Sequence, residues 1–215
     1  MYRNPLIKGF TTNPTLMRKA GITHYESFAL GVLQDIRDRP ISFEVFSDDF
    51  EEMERQARKI SGWGKNVYVK IPVTNTRGES SVSLIQRLAK AGIHLNITAL
   101  MTLDQVRDVS SALAEGPHSF ISVFAGRIAD TGRDPVPVMA EAVDFLGRYS
   151  HLELIWASPR ELLNIFQAEA IGCHVITVTN DVLGKLPSLG KDLNLFSLET
   201  VKMFYEDAHK AGYTL

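Results

Sequence analysis

The sequence predicts an α/β protein of the TIM-type (β/α)8-barrel class in which seven βα units are readable. Three observations carry this. Short β-branched runs alternate with capped amphipathic segments, no linker interrupts the alternation, and polar residues recur two apart within several strands.

The candidate strands are 7–12, 41–46, 66–73, 94–100, 120–125, 153–157 and 174–178. Successive strands start 21 to 34 residues apart, enough for one strand, one helix and two loops each time. In SDDFEEMERQARKISGWG, Phe50, Met53, Ala57 and Ile60 form one apolar stripe; acids fill the first turn, Arg58 and Lys59 the last, and Gly62 ends it. Thr102 and Gln105 predict a capping box, and Asp134 precedes Pro135 at a first helical position. Ser158, with Pro159 and Glu161, combines both start signals. Strict alternation implies a parallel sheet with right-handed crossovers, either doubly wound or curled into a barrel. One domain over 1–215 is expected. It ends in a helix, SLETVKMFYEDAHKAGYTL, whose Leu198, Val201, Phe204 and Ala208 align to cover its own barrel or lie on a neighbour.

The strands choose between the two sheets. Doubly wound strands are buried on both faces and read as continuous apolar runs. Here Thr11 and Asn13, Ser42 and Glu44, and Asn96 and Thr98 are paired two residues apart. Lys70 stands alone in NVYVKIPV, and Ser122 lies two before Phe124 in ISVFAG. Two-residue spacing puts each pair on one face of its strand, which suits a barrel interior whose upper layer is an active site. Buried polar groups satisfied by their neighbours are the alternative for any single pair.

Composition narrows the partners. The chain has 215 residues, 45% hydrophobic and 22% charged, as in a well-cored globular protein. Against 25 acids stand 23 Lys and Arg, so there is no basic excess for nucleic acid. Cys173 is the single cysteine, which excludes an internal disulfide and fits a cytoplasmic protein. No apolar stretch approaches the length of a membrane span, and no secretory leader is readable at the start.

Lys70 is the most informative residue. Flanked by Val69 and Ile71, it cannot easily snorkel, and burial of an unpaired ammonium favours the neutral amine. Neutral amines attack carbonyls to form Schiff bases. A structural Lys70 to Glu44 ion pair is the alternative from the residues alone.

Five segments in order, GFTTNPTL, VYVKIPVT, GIHLNITAL, ISVFAGRIAD and IWASPRE, resemble those of the transaldolase family, in the small single-domain branch related to fructose-6-phosphate aldolase. The resemblance covers nearly the whole chain and implies a (β/α)8 barrel with class I Schiff-base chemistry. It implies that Lys70 is the Schiff-base lysine and that Glu44, with Thr98 and a water, handles protons. Thr11, Asn13, Asn96, Ser122 and Phe124 would line the substrate site. Asn13 precedes Pro14 and could equally cap a helix. Arg127, Ser158 and Arg160 would form the phosphate site; Ser158 is expected to begin a helix whose free N–H groups favour an anion.

Phe124 and Glu44 match the transferring members, whereas the aldolases of fructose 6-phosphate carry tyrosine and glutamine there. The resemblance thus implies transfer of a dihydroxyacetone unit from a ketose phosphate to an aldose phosphate in pentose-phosphate-type metabolism. No metal or organic cofactor is implied, and a homo-oligomer is expected. The alternatives are the aldolase-type lyase and a non-catalytic sugar-phosphate-binding protein. The family pattern opens with a strand ending in aspartate, but only eight residues precede Gly9. That strand and acid are therefore expected to be missing, leaving a gap between 7–12 and 174–178.

Overall fold

All seven predicted strands form, and they pair side by side in the order in which the chain makes them. The computed structural model describes residues 2–214. It divides into two compact units, Met1–Val178 and Thr179–Leu215.

The first unit runs β1 (Phe10–Thr11), α1 (Pro14–Lys19), α2 (Tyr25–Asp35), β2 (Ile41–Glu44), α3 (Phe50–Ser61), β3 (Val67–Pro72) and α4 (Val82–Lys90). It continues through β4 (Leu95–Leu100), α5 (Leu103–Leu113), β5 (Ser119–Val123), α6 (Ala125–Ala129), α7 (Val136–Leu146), β6 (Leu152–Trp156), α8 (Leu163–Ala170) and β7 (Val175–Ile176). Every pairing is parallel, from β1 with β2 to β6 with β7. Among the described residues β7 does not pair with β1, so the sheet is a curled half-barrel, a (β/α)8 barrel cut short. The end strands hold two residues each where 7–12 and 174–178 were expected. A strand with a neighbour on one side only has fewer ladder bonds to keep it extended.

Alternation divides the core into two layers. Phe43, Val69, Ile71, Leu95, Ile97, Ile121, Leu154 and Trp156 face outward and pack with helix residues such as Met53, Ile60, Leu84, Leu88, Val109 and Met139. Phe120, Ile155 and Ala157 belong to the opposite parity and form a smaller inner cluster with Tyr68, Phe124 and Val175. Full burial of one such large side chain contributes about 1.5–3 kcal/mol, so the outer layer dominates stability.

Helix signals mostly act as expected. Asp49 caps α3 by accepting the Glu52 N–H, and Met53, Ala57 and Ile60 are buried. Thr102 and Gln105 form the full capping box of α5, while the Asp134 carboxylate accepts the Val136 N–H ahead of α7. Ser158 is the exception: α8 begins at Leu163. Ser158 adopts a left-handed backbone, φ 60°, which no residue entering a right-handed helix can hold. The Asn164 side chain then takes the N–H groups of Arg160 and Glu161 at 2.8 and 3.2 Å.

The second unit holds α9 (Asn180–Leu183), a single 3-10 turn at Leu186–Ser188 and α10 (Leu193–Lys210). The last helix starts earlier than Ser197 because Asp192 caps it, accepting the Leu195 N–H at 2.9 Å. Its Leu198, Val201 and Phe204 are exposed. Among the described residues no helix is long and apolar enough to cross a membrane.

Candidate active site

Register assembles the centre of the site. Glu44 on β2 pairs with Lys70 on β3, and Lys70 pairs with Asn96 on β4. In-register neighbours of parallel strands stand about 4.8 Å apart with side chains on the same face, so the three groups share one level. Lys70 is 7% exposed. Its ammonium donates to Glu44 Oε2 at 3.0 Å and to the Thr12 carbonyl at 3.0 Å. The lysine is therefore paired with Glu44, the alternative that the residues alone left open. The carboxylate that neutralises it is also a base in direct hydrogen-bond reach of its proton.

Asn96 is held at both ends. Its Nδ2 donates to Ser42 Oγ at 2.9 Å, and its Oδ1 accepts from Ser122 Oγ at 2.7 Å. All three side chains are buried, so this chain of hydrogen bonds braces β2, β4 and β5 across the interior through Asn96, the neighbour of Lys70 in register. Thr98, one layer higher and level with Pro72, is buried with a hydroxyl that has no hydrogen-bond partner in the protein. The next residue, Ala99, has φ 67°, where the β4 to β5 register shifts. A left-handed non-glycine residue costs about 1–2 kcal/mol, so the bulge that sets Thr98 is a strained one.

Thr11 is exposed on the edge strand, level with Ser42. Asn13 caps α1, accepting the Leu16 N–H at 3.0 Å. Phe124 is half-buried at the end of β5 against the inner cluster.

A second group gathers where β5 and β6 end. Helix α6 follows β5 immediately and carries Arg127, which is exposed. The Ser158 turn lies so close to it that a Cβ on Gly126 would stand 1.6 Å from the Ser158 carbonyl oxygen and 3.2 Å from Arg160 Nε. Only glycine permits that approach, and it brings the loop carrying Arg160 against the helix carrying Arg127. Arg160 is itself engaged: its Nε donates to Asp130 Oδ1 at 3.0 Å and its Nη2 to Oδ2. Ser158 does not start a helix, so no helix N-terminus adds to the two guanidinium groups at this corner.

Residue-pattern reasoning missed three participants. The Thr12 carbonyl holds Lys70 through its backbone, and the Tyr25 hydroxyl accepts the Glu44 N–H at 2.8 Å. Asp130 binds Arg160. Nothing local marked Asp130, which lies 30 residues from its partner, or Tyr25. Burial among aromatic rings pushes the Tyr25 hydroxyl above its usual ionisation range, so it stays protonated.

Comparisons with known proteins bear on the family. A curated relative described as a probable transaldolase, from Thermoanaerobacter sp., is 34% identical over 208 residues, covering 96% of this chain and 89% of the relative. Another probable transaldolase, from Methanococcus maripaludis, is 35% identical over 182 residues, covering 84% of this chain and 80% of that one. Among solved structures, a putative phosphonomutase from Burkholderia cenocepacia matches with a TM-score of 0.51 and 13% identity, over 93% of this chain and 85% of that one, a likeness of fold alone. The family model described as Transaldolase/Fructose-6-phosphate aldolase matches residues 1–215, and the chain belongs to that family.

Proposed function

We propose that the chain is a transaldolase that carries a dihydroxyacetone unit from a ketose phosphate to an aldose phosphate on Lys70, in pentose-phosphate-type metabolism. The observation that supports this best is the buried lysine 3.0 Å from one carboxylate oxygen. Glu44 takes a proton from the ammonium, and the freed amine attacks the C2 carbonyl of the donor. The carbinolamine loses water with the proton returned by Glu44, leaving an iminium. Glu44 then accepts the C4 hydroxyl proton as the C3–C4 bond breaks, and the bond's electron pair flows into the iminium to give an enamine. The aldose phosphate leaves; the enamine adds to the aldehyde of the acceptor, whose new alkoxide takes the proton from Glu44, and water releases the product.

Thr98 has an uncommitted hydroxyl beside this layer, suited to steady the water that leaves and returns. Arg127 and Arg160 are the groups assigned to the substrate phosphate, and Thr11, Asn13, Asn96, Ser122 and Phe124 to the walls around the sugar. A homo-oligomer in the cytoplasm is part of the same reading.

The test is trapping. Incubation with fructose 6-phosphate and borohydride should leave a reduced three-carbon adduct on Lys70, mapped by mass spectrometry. Labelling at another lysine, or none despite turnover, overturns the mechanism. Release of free dihydroxyacetone without an acceptor would favour the lyase reading, and Phe124, which lacks a hydroxyl to protonate the enamine, argues for transfer.

A further inference from the structure

The two acceptors that hold Lys70 come from different segments, the residue after β1 and the end of β2, and one side chain outside the barrel touches both. Backbone N–H groups along β2 alternate in direction. Those of Ile41 and Val45 donate towards β3, to Asn66 O at 3.0 Å and Lys70 O at 3.2 Å, so that of Glu44 points to the β1 side. Pairing with β1 has already ended there, at Thr11 with Ser42, because the chain turns into α1. The Glu44 N–H would be left without a strand partner. Tyr25, the first residue of α2, supplies one: its hydroxyl oxygen accepts that N–H at 2.8 Å.

The same hydroxyl lies 3.5 Å from Thr12 Oγ1. The Thr12 hydroxyl donates to the Ser42 carbonyl at 2.9 Å, so the Tyr25 proton is the one directed at Thr12. Tyr25 thereby joins the residue whose carbonyl accepts from Lys70 to the residue whose carboxylate does. Its ring is fixed by edge contacts with Phe43 and Phe46, at centroid distances of 6.1 and 4.5 Å, and by a tilted contact with Trp63 at 6.1 Å.

We propose that Tyr25 is a positioning residue for Lys70, standing in for the strand pairing that β1 does not extend to Glu44 and fixing Glu44 and Thr12 relative to each other. For catalysis this rests on the Schiff-base reading of Lys70, so one measurement needs no substrate. In Tyr25→Phe the ring contacts remain and only the hydroxyl is lost. Acetic anhydride labelling, read by peptide mass spectrometry, should show the Lys70 to Lys59 ratio changed by about two- to tenfold, the range expected for loss of one hydrogen bond. In turnover kcat should fall by a similar factor while KM for fructose 6-phosphate stays within about twofold, since the lost contact touches no substrate group.

A lower melting temperature with an unchanged labelling ratio and kcat would reduce Tyr25 to a packing residue and overturn the proposal. A changed ratio in an enzyme whose wild type gives no borohydride adduct would uphold the positioning role and sink the transaldolase mechanism instead. Should Tyr25→Phe fail to fold, Thr12→Val tests the other end of the bridge. It must change the ratio too, and an unchanged ratio overturns the proposal.

Discussion

Replacing Asp130 with asparagine should tighten the binding of phosphorylated donors. Arg160 cannot give both guanidinium edges to a phosphate while Asp130 holds it through Nε and Nη2. The pair is 45% and 49% exposed, which places its worth at about 0.2–1 kcal/mol rather than the larger figure for a buried pair. A carboxylate left some 6 Å from a bound phosphate adds a repulsion of ~0.7 kcal/mol per unit charge in a water-like medium, reduced further by salt. Together these terms amount to about 1 kcal/mol, so Asp130→Asn should lower KM for fructose 6-phosphate roughly fivefold. KM for unphosphorylated fructose should not move. Breaking so exposed a pair should shift the melting temperature by no more than about 2–4 °C. Steady-state kinetics on both sugars at two salt concentrations decides the matter. A raised KM for the phosphorylated donor, in a variant that melts like wild type, would show that Asp130 orients Arg160 for phosphate rather than competing with it.

Gly126→Ala should cost at least about 1–3 kcal/mol, because the new Cβ meets a backbone oxygen rather than a flexible side-chain end; calorimetry should show the loss, and KM for phosphorylated donors should rise as the Ser158 turn is displaced. Phe124→Tyr should raise the ratio of free dihydroxyacetone to acceptor-dependent product, and an unchanged ratio in a folded variant would remove the argument from Phe124. Burial pushes the Cys173 thiol from 9.0 up to about 11. The folded protein then keeps a proton that the unfolded chain gives up, so stability should fall as the pH rises from about 9 towards 11. Cys173→Ala should flatten that part of a pH series of melting temperatures.

The strands were legible because apolar alternation is a property of each segment by itself, and the parity argument correctly put Ser42, Glu44, Lys70, Asn96 and Ser122 on one face. What escaped lies between segments or in the backbone. A pattern of side chains cannot reveal that the Thr12 carbonyl, not the Thr11 or Asn13 side chain, holds Lys70. The Arg160 to Asp130 pair spans 30 residues and joins the residue that ends α6 to a loop. Ser158 carried a convincing cap signal, yet the close approach to Gly126 and a left-handed backbone overrode it, and α8 found its start five residues later. Lys70 and Glu44 can be named as a pair from the residues, but only the register of β2 against β3 brings them within 3.0 Å.

Pairing strictly in chain order has a consequence for how the first unit comes together. Each strand needs only the unit just before it, so the longest loop to be closed at any step is one βα repeat, and the chain can condense progressively during synthesis. No strand waits for a distant segment before it gains a neighbour. The six-residue strands β3 and β4 and the five-residue β5 and β6 form the middle of this series, while the outermost members contribute two residues apiece. Amide exchange should therefore be slowest in the middle and fastest at the two ends. The lysine sits on the slow side of that gradient. Its Thr12 partner sits on the fast side, so fraying of the first strand would release one of the two acceptors that hold Lys70 without disturbing the core beneath it.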